Sequence, residues 1–258
     1  MKKFQNVAIV TVRNSSSRLP NKAIMKIKGN LRSIDIVIKR AKQTGLPVIL
    51  ATSTDNSDDI FDSISKEHDV ELFRGALLNK INRWKHCFEK FDIQNALLLD
   101  GDDLCHNYDI GKRAIFELKS KSIDMIMNPP GIVTGFFTYA INRTGINKMF
   151  NVAPYPEIDT DVITRYIEKA DLKTDFIVLE DYEINEKIRM TLDYEEDLCF
   201  FQELYKKMDI LENGKTIIDF LKNNPKILEI NFHKQKDFLN NQKEFNDDIS
   251  RWDTSNVK

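Results

Sequence analysis

Short apolar runs alternate along this chain with longer segments whose apolar residues recur at helical spacing. Buried strands are predicted at residues 7–12, 48–52 and 95–99, each a run of mostly aliphatic residues. Strands that alternate with amphipathic helices form parallel sheets, because each helix carries the chain back to start the next strand in the same direction. The pattern therefore predicts an α/β domain with a mainly parallel sheet flanked by helices.

The segments between these runs repeat their apolar residues at intervals of three and four. Helices are predicted over residues 33–45, 58–67, 79–91, 109–121, 158–168, 194–208 and 214–223. Later extended segments are predicted over residues 136–141, 175–179 and 187–193. With 258 residues, of which 41% are hydrophobic, the chain can form one main domain, which we place at residues 1–231. The polar residues 232–258 are expected to form a loosely held extension or an arm that reaches a partner.

The loop after the first predicted strand combines three cations with three hydroxyls in the sequence RNSSSRLPNK. The carboxyl ends of the strands are where open α/β sheets bind their ligands. Arg13, Arg18 and Lys22 can offset phosphate charge there. Ser16 and Ser17 can donate hydrogen bonds to the same ligand. A solvated basic loop is the alternative, but the position at a strand end favours a site for a polyanion.

Composition excludes several classes of partner. The formal net charge of −2 gives no overall attraction to nucleic acid or to an anionic membrane, so anion binding must come from a local cluster. No apolar stretch approaches the length of a transmembrane helix, and the first apolar run is too short for a signal peptide. Cys87, Cys105 and Cys199 lack paired spacing, which favours reduced thiols in a cytoplasmic protein.

Acidic side chains follow the predicted strand at residues 95–99. Asp100, Asp102 and Asp103 should reach the same crevice as the first loop, because parallel strands end at one edge of the sheet. Adjacent carboxylates repel one another, and Mg²⁺ relieves such repulsion by taking one or two carboxylates together with phosphate oxygens. The alternative is an exposed acidic turn at Gly101. The strand-end position favours a magnesium site.

The first loop has no glycine-rich fingerprint of the dinucleotide or Walker A kind, so side chains must do more of the binding. Its spacing resembles the signature R-x-x-S-S-R-L-P-x-K of the CTP-dependent sugar-acid cytidylyltransferases. That family includes the spore coat polysaccharide biosynthesis protein F type and the synthetases of CMP-ketodeoxyoctonate and CMP-sialic acid. The matching residues are Arg13, Ser16, Ser17, Arg18, Leu19, Pro20 and Lys22. Ser15 and Asn21 stand where the family has glycines.

The resemblance implies a Rossmann-like nucleotide-diphospho-sugar transferase fold and roles for individual residues. Thr52 and Ser53 match the family's A-T-S strand end, and Arg74 matches its R-G stretch. The nucleotide-binding residues that the resemblance implies are Arg13, Ser16, Ser17, Arg18, Lys22, Thr52, Ser53, Arg74 and Asp103. The family's G-D-E-P or G-D-N-P motif aligns its aspartate with Asp102, and the resemblance implies that Asp102 is a metal ligand. Arg13, Lys22 and Asp102 are the implied catalytic residues.

A second acidic segment resembles the family motif T-x-D-x-x-x-D-L and begins at Thr191. The resemblance makes Asp193 the second metal ligand, brought to the site from a distant part of the chain. The alternative is that Asp193 caps the helix predicted over residues 194–208, where a carboxylate satisfies free N–H groups. Asp197 fits the capping role better.

These matches imply that the protein is a cytidylyltransferase that acts in polysaccharide biosynthesis. It would activate a sugar acid or related acceptor with CTP, giving a CMP conjugate and pyrophosphate with Mg²⁺ as cofactor. Its partners would be CTP and a small acidic or sugar acceptor, and relatives of this kind often form homodimers.

Two alternatives remain open at the level of sequence. Asp100, Gly101 and Asp102 form a D-x-D motif, which would suit a GT-A-type glycosyltransferase that holds a nucleotide sugar through a metal. The chain could also be a non-catalytic nucleotide-binding relative, because Ser15 and Asn21 replace two family glycines and because residues 130–135, where the family places its acceptor, carry no acid.

Overall fold

The described residues form a mixed sheet of seven strands and a separate two-stranded hairpin. The computed structural model describes residues 2–16 and 18–241. The strands are β1 (Asn6–Thr11), β2 (Lys26–Lys28), β3 (Leu31–Arg32), β4 (Val48–Ser53), β5 (Glu71–Gly75), β6 (Asn95–Asp100), β7 (Met125–Met127), β8 (Tyr139–Asn142) and β9 (Thr174–Phe176). β2 and β3 pair antiparallel as the hairpin.

The main sheet has the order β5-β4-β1-β6-β8-β7-β9. β5, β4, β1 and β6 are parallel neighbours. β8 runs antiparallel to both β6 and β7, while β7 and β9 pair in parallel. The prediction of a mainly parallel sheet flanked by helices is confirmed.

Helices cover both faces of the sheet. The α-helices are α1 (Ser33–Lys42), α2 (Ile60–Glu67), α3 (Lys80–Lys90), α4 (Tyr108–Ser120), α5 (Arg143–Val152), α6 (Thr164–Lys169), α7 (Glu195–Lys207), α8 (Gly214–Asn223) and α9 (Pro225–Leu228). Short 3₁₀ turns occur at Lys22–Ile24, Asn56–Asp58 and Asp181–Glu183. Each helix predicted from apolar spacing is present, with shifted ends.

The hydrophobic core forms two layers, one on each face of the sheet. Val7 and Ile9 of β1 belong to the layer that packs against α3, α5 and α6. Ala8 and Val10 belong to the layer that packs against α1, α4, α7 and α8. This alternation follows from the pleat of a strand that is buried on both faces. It also sets the direction in which the chain leaves β1 and enters the next loop.

Two predicted extended segments differ from the structure. The strand expected at 136–141 is shorter and lies at Tyr139–Asn142. The segment at 187–193 makes only an isolated bridge, between Thr134 and Arg189. Its later residues turn toward the acidic loop after β6, because the N–H of Leu192 donates to the carbonyl of Asp102 at 2.9 Å.

The described part of the extension predicted to be loosely held, residues 232–241, packs on the domain. Residues 234–241 are helical. The side chain of Gln235 donates to Thr134 Oγ1 at 2.9 Å, and that of Asn241 donates to Tyr194 Oη at 2.8 Å. The side chains of Gln235 and Asn241 thus attach this segment to the domain. Residues 242–258 lie outside the described part of the chain.

Within the described ranges, none of the helices is both apolar enough and long enough to cross a bilayer.

Candidate active site

A cleft of about 1180 Å³ opens at the carboxyl ends of β1 and β6. Thr11 and Asp100, the last residues of these strands, line it together with the loops that follow them. In the sheet, β1 has β4 as its neighbour on one side and β6 on the other, so the strand order reverses at β1. Open α/β sheets bind ligands at such a switch point, so the first loop and the acidic turn share one cavity, as expected.

The loop after β1 is fastened at its start by a buried carboxylate. Asp58 accepts a hydrogen bond from the N–H of Asn14 at 2.7 Å, and Asn14 Nδ2 donates to the carbonyl of Ser57 at 3.0 Å. The Ser53 hydroxyl donates to the other oxygen of Asp58 at 2.5 Å. These bonds hold the loop where its cations face the cleft.

Farther along the same loop, Asn21 adopts a left-handed conformation with φ 60°. Asparagine tolerates this region better than most residues with a side chain. Asn21 thus supplies the conformation for which a glycine would be the default choice, and Lys22 begins a 3₁₀ turn directly after it.

The turn after β6 approaches β1 closely. The N–H of Gly101 donates to the carbonyl of Thr11 at 2.8 Å. A Cβ added to Gly101 would lie 2.9 Å from that carbonyl oxygen and 2.9 Å from Cβ of Val12. Only glycine fits this approach, which sets the adjoining carboxylates beside the first loop.

Lys22 joins the two acidic segments. Its Nζ donates to Asp102 Oδ2 at 2.5 Å and to Asp193 Oδ1 at 3.0 Å. Burial opposes the charge on the ammonium, but the attraction of Asp102 and Asp193 outweighs it and raises the pKa of Lys22. The two predicted metal ligands therefore meet around one cationic group.

Asp193 is surrounded by cations. Besides Lys22, Arg18 donates to its Oδ1 at 2.6 Å, and Arg189 donates to its Oδ2 at 2.8 Å. Burial alone would raise the pKa of this carboxyl, yet the three cations hold the pKa of Asp193 well below its usual range. The group is an anion whose full charge is balanced by neighbours.

Asp197, not Asp193, caps the start of α7. Its Oδ2 accepts from the N–H groups of Asp193 and Tyr194 at 2.9 and 3.0 Å. Arg189 donates to both oxygens of Asp197, at 3.0 and 3.1 Å, and Asn231 donates to Oδ1 at 2.9 Å. The capping alternative for Asp193 is excluded, so its side chain is available to the cleft.

The remaining carboxyls of the acidic turn have a different environment. Burial, with the neighbouring charges of Asp102 and Asp100, raises the pKa of Asp103 well above its usual value. Burial also raises the pKa of Asp100. Asp103 lines the cleft, as predicted, and accepts a long hydrogen bond of 3.4 Å from the Thr138 hydroxyl. Asp102 is thus the carboxylate of this turn that pairs with a cation.

A second cationic wall of the cleft lies where the first loop meets the start of α3. Arg13 donates to Asp161 Oδ1 and to the carbonyl of Leu77, both at 3.3 Å. Lys80 and Arg83, at the start of α3, line the same wall. Burial, together with the charge of Arg13, lowers the pKa of Arg83 to about 10. Its Nη1 donates to the carbonyl of Ala76 at 2.9 Å, and its buried Nε has no hydrogen-bond partner among the described residues.

Most of the predicted nucleotide-binding residues reach the cleft, and three do not. Arg13, Ser16, Arg18 and Lys22 line it, whereas Ser17 lies outside the described residues.

The structure places Thr52, Ser53 and Arg74 outside the lining of the cleft. Thr52 and Ser53 are fully buried, and Ser53 bonds Asp58 beneath the loop. Arg74 is held by Asp59 and Asp62 at 2.7 and 2.8 Å, on a surface that does not line the cleft. Nearby carboxylates bind Ser53 and Arg74, whereas the buried Thr52 hydroxyl has no hydrogen-bond partner among the described residues.

Sequence reasoning missed Arg189 and the helix at 234–241. Arg189, Asp193 and Asp197 follow one another at intervals of four, and this spacing was the available indication of an ion-pair network. The ring of Phe238 lies 4.5 Å from the Arg189 guanidinium. No sequence pattern indicated that residues between 235 and 241 would line the cleft.

In the described part of the chain, no group of three or more His, Cys, Asp or Glu side chains forms a complete metal site. Among solved structures, a cytidylyltransferase from Leptospira borgpetersenii serovar Hardjo-bovis (strain JB197) is 20% identical and superposes with a TM-score of 0.77, covering 87% of this chain and 97% of that one.

Two further structures show the same fold at lower similarity. A CMP:2-keto-3-deoxy-manno-octonic acid synthetase, solved with CTP, is 15% identical with a TM-score of 0.60, over 79% of this chain and 99% of that one. A 4-diphosphocytidyl-2C-methyl-D-erythritol synthase from Anaerococcus prevotii DSM 20548 is 16% identical with a TM-score of 0.56, over 80% and 99%. No curated protein matches the chain significantly.

A family model described as cytidylyltransferase matches residues 7–217. The match includes the first loop, the acidic turn and Asp193, which the fold brings together. It favours nucleotidyl transfer over the glycosyltransferase alternative. The chain belongs to the cytidylyltransferase family and is a CTP-dependent nucleotidyltransferase.

Proposed function

We propose that the enzyme transfers CMP from CTP to a hydroxyl oxygen of a small acceptor, a sugar acid or a related sugar, in a magnesium-dependent reaction. The contact of Lys22 with both Asp102 and Asp193 carries this proposal. This contact brings two carboxylates and a cation together beside the basic loop after β1. A magnesium triphosphate requires carboxylates for the metal ion and cations for the phosphate groups.

The positive charge of the cleft suits the triphosphate. Arg13, Arg18 and Lys22 line the cleft, and each is paired with a carboxylate. A triphosphate that enters can replace these carboxylates as the partner, so that no cation is left unpaired. Ser16 adds a hydroxyl donor to the same loop.

The donor set fits Mg²⁺. Asp102 and Asp193 both reach one ammonium nitrogen, so their oxygens converge on a single position for a cation. Two carboxylates suffice for Mg²⁺ when phosphate oxygens and water complete its shell. Asp102 and Asp193 would hold the ion, and when bound it would neutralise phosphate charge and orient the reacting groups.

The chemical step needs no covalent enzyme intermediate. The acceptor hydroxyl oxygen forms a bond to the α-phosphorus of CTP, and the bond from that phosphorus to the bridging oxygen of pyrophosphate breaks. Pyrophosphate leaves with the electron pair, and the hydroxyl proton passes to solvent. Arg13 and Lys22 stabilise the charge that grows on the leaving group, which is the main contribution of the chain's own residues.

The proposal extends to the setting of the enzyme. We place it in polysaccharide biosynthesis in the cytoplasm, as a homodimer, from the family that its first loop resembles. Cys87, Cys105 and Cys199 are free thiols, which supports a reducing compartment. Light scattering on the purified full chain tests the dimer.

Pyrophosphate release tests the function. The full chain is incubated with CTP, Mg²⁺ and a panel of sugar acids, sugars and polyols, with ATP, GTP and UTP as control nucleotides. Acceptor-dependent release with CTP, abolished by EDTA, is expected. Tight CTP binding without release for every acceptor would contradict the proposal in favour of a non-catalytic relative. Sugar transfer from a nucleotide sugar would favour the glycosyltransferase.

A further inference from the structure

The helix at 234–241, which we call the terminal helix, turns one face toward the domain. Its half-buried residues are Lys234, Gln235, Phe238 and Asn241, and the residues between them are exposed. Spacings of three and four place these residues on a single face of the helix. Gln235, Phe238 and Asn241 also line the cleft. The terminal helix is therefore part of the wall of the candidate active site.

Gln235 connects the terminal helix to two segments of the domain at once. Its Nε2 donates to Thr134 Oγ1 at 2.9 Å, and its Oε1 accepts from Arg189 Nη1 at 3.5 Å. Thr134 and Arg189 are themselves joined by an isolated parallel bridge. The amide of Gln235 thus binds both segments at the point where they meet, one helical interval before Asp193.

Phe238 covers the guanidinium of Arg189. The centre of its ring lies 4.5 Å from that group, a distance at which the face of an aromatic ring attracts a cation. The Arg189 side chain is fully buried and pairs with Asp193 and Asp197. Such pairs are stronger away from water, because the local dielectric constant is low. The ring of Phe238 therefore favours the arrangement in which Arg189 faces the two carboxylates.

Arg189 in turn controls the direction of the Asp193 carboxylate. Its Nη2 donates to Oδ2 of Asp193 at 2.8 Å, whereas Oδ1 accepts from Lys22 at 3.0 Å. Holding one oxygen from inside the protein fixes the direction of the other, as partners outside a metal's own ligands commonly do. Asn231, just before the terminal helix, donates to the carbonyl of Arg189 at 3.2 Å and to Asp197 Oδ1 at 2.9 Å. The same end of the chain thus supports the network from two places.

We propose that the terminal helix is a positioning element of the active site, which holds Arg189 through Phe238 and Gln235 and thereby orients Asp193 toward the metal ion. This inference rests on the proposed magnesium site. It gives a part in the reaction to residues beyond 217, where the family match ends. Because Phe238 and Gln235 act through Arg189, their loss should weaken the effect of the metal ion and leave metal-free nucleotide binding unchanged.

Calorimetry of CTP binding to the full chain tests the inference without an acceptor. The quantity measured is the gain in CTP affinity from Mg²⁺, the Kd in EDTA divided by the Kd in Mg²⁺. Phe238→Leu keeps an apolar side chain but removes the aromatic face, and Phe238→Tyr restores that face. We expect Phe238→Leu to reduce the gain about fivefold, the scale of one cation–π contact. Phe238→Tyr should keep the gain, and the Kd in EDTA should be the same for both variants.

Phe232→Leu is the matched control, because Phe232 lies just before the same helix, is 46% exposed and does not line the cleft. Gln235→Leu removes the amide contacts and is expected to reduce the gain severalfold, as Phe238→Leu does. Equal gains in Phe238→Leu and Phe232→Leu would contradict the inference and leave the magnesium site standing. A Kd in EDTA that rises as much as the Kd in Mg²⁺ would show general loosening instead of positioning. An unaltered enzyme without any gain from Mg²⁺ would contradict both the magnesium site and the inference.

Discussion

Lys22 and Asp193 are separated by 171 positions in sequence, and the Lys22 ammonium lies 3.0 Å from Asp193 Oδ1. The contact forms because the loop after β1 and the segment before α7 both reach the carboxyl edge of the sheet. It joins a group suited to phosphate with a group suited to a metal ion. The catalytic account depends on this pair.

Replacement of Lys22 tests the phosphate role directly. Lys22→Gln keeps hydrogen-bonding capacity but removes the charge that faces the leaving pyrophosphate. We expect kcat/KM for CTP to fall about a hundredfold, the scale for loss of a group that stabilises transition-state charge.

Arg74→Gln is the matched control in the same assay, because Arg74 lies outside the cleft and pairs with Asp59 and Asp62. Its kcat/KM should stay within twofold of the unaltered enzyme. A comparable loss in both variants would show that Lys22 has no special part in the reaction.

We expect Arg189 to hold the Asp193 carboxylate in position without reaching the substrate itself. Its side chain is fully buried and bonds both Asp193 and Asp197. Arg189→Met would leave those two carboxylates short of a partner, which costs about 3–5 kcal/mol of unfolding free energy. Urea denaturation measures the loss.

A conservative variant distinguishes an effect on the position of Asp193 from an effect on the stability of the whole protein. Arg189→Lys keeps one charge but cannot donate to both carboxylates at once. We expect it to fold, with a raised KM for Mg²⁺ and a smaller change in the KM for CTP. An Arg189→Lys enzyme with an unchanged metal requirement would contradict the positioning role.

Asp103 should make stability depend on pH. Its folded-state pKa is raised by burial and by Asp102 and Asp100, so the folded protein holds this proton more tightly than the unfolded chain. The stabilisation is complete below the unfolded pKa near 3.8 and is lost as pH rises above it. Asp103→Asn is therefore expected to raise the free energy of unfolding at pH 7 and to change it little at pH 4.

Exposed Asp181 gives the control for this measurement. Asp181→Asn should have the same small effect on unfolding at both pH values. A gain from Asp103→Asn that was equal at pH 4 and pH 7 would mean that burial does not raise the pKa of this carboxyl.

Asn21 tests the geometry of the first loop. Asn21→Ala must place an alanine at φ 60°, which costs about 1 kcal/mol, whereas Asn21→Gly accepts that conformation. We expect the alanine variant to lose stability and CTP affinity, and the glycine variant to keep both. Isothermal calorimetry with CTP distinguishes them, and identical affinities would show that the turn does not set the position of Lys22.

Much of the site followed from sequence because strand ends of a parallel sheet converge. The positions of Arg13 and Asp102 after β1 and β6 needed only apolar periodicity and that rule. Asp193 needed the family resemblance, since nothing local distinguishes a metal ligand from a helix cap. The sheet order placed it beside Lys22.

Other parts depend on side-chain competition that a linear pattern does not contain. Ser53 and Arg74 lie at strand ends, but neither faces the cleft. The Ser53 hydroxyl bonds Asp58, and Arg74 pairs with Asp59 and Asp62. The helix at 234–241 reads as polar and was expected to be loose. Its attachment through Gln235 and Asn241 arises from partners far away in sequence.

A crystal structure of the full chain with CTP and Mn²⁺ tests the central claim most directly. We predict an anomalous peak between the carboxylates of Asp102 and Asp193, with Lys22 turned from them onto the triphosphate. A triphosphate bound away from the first loop, or a metal that contacts neither carboxylate, would contradict the account.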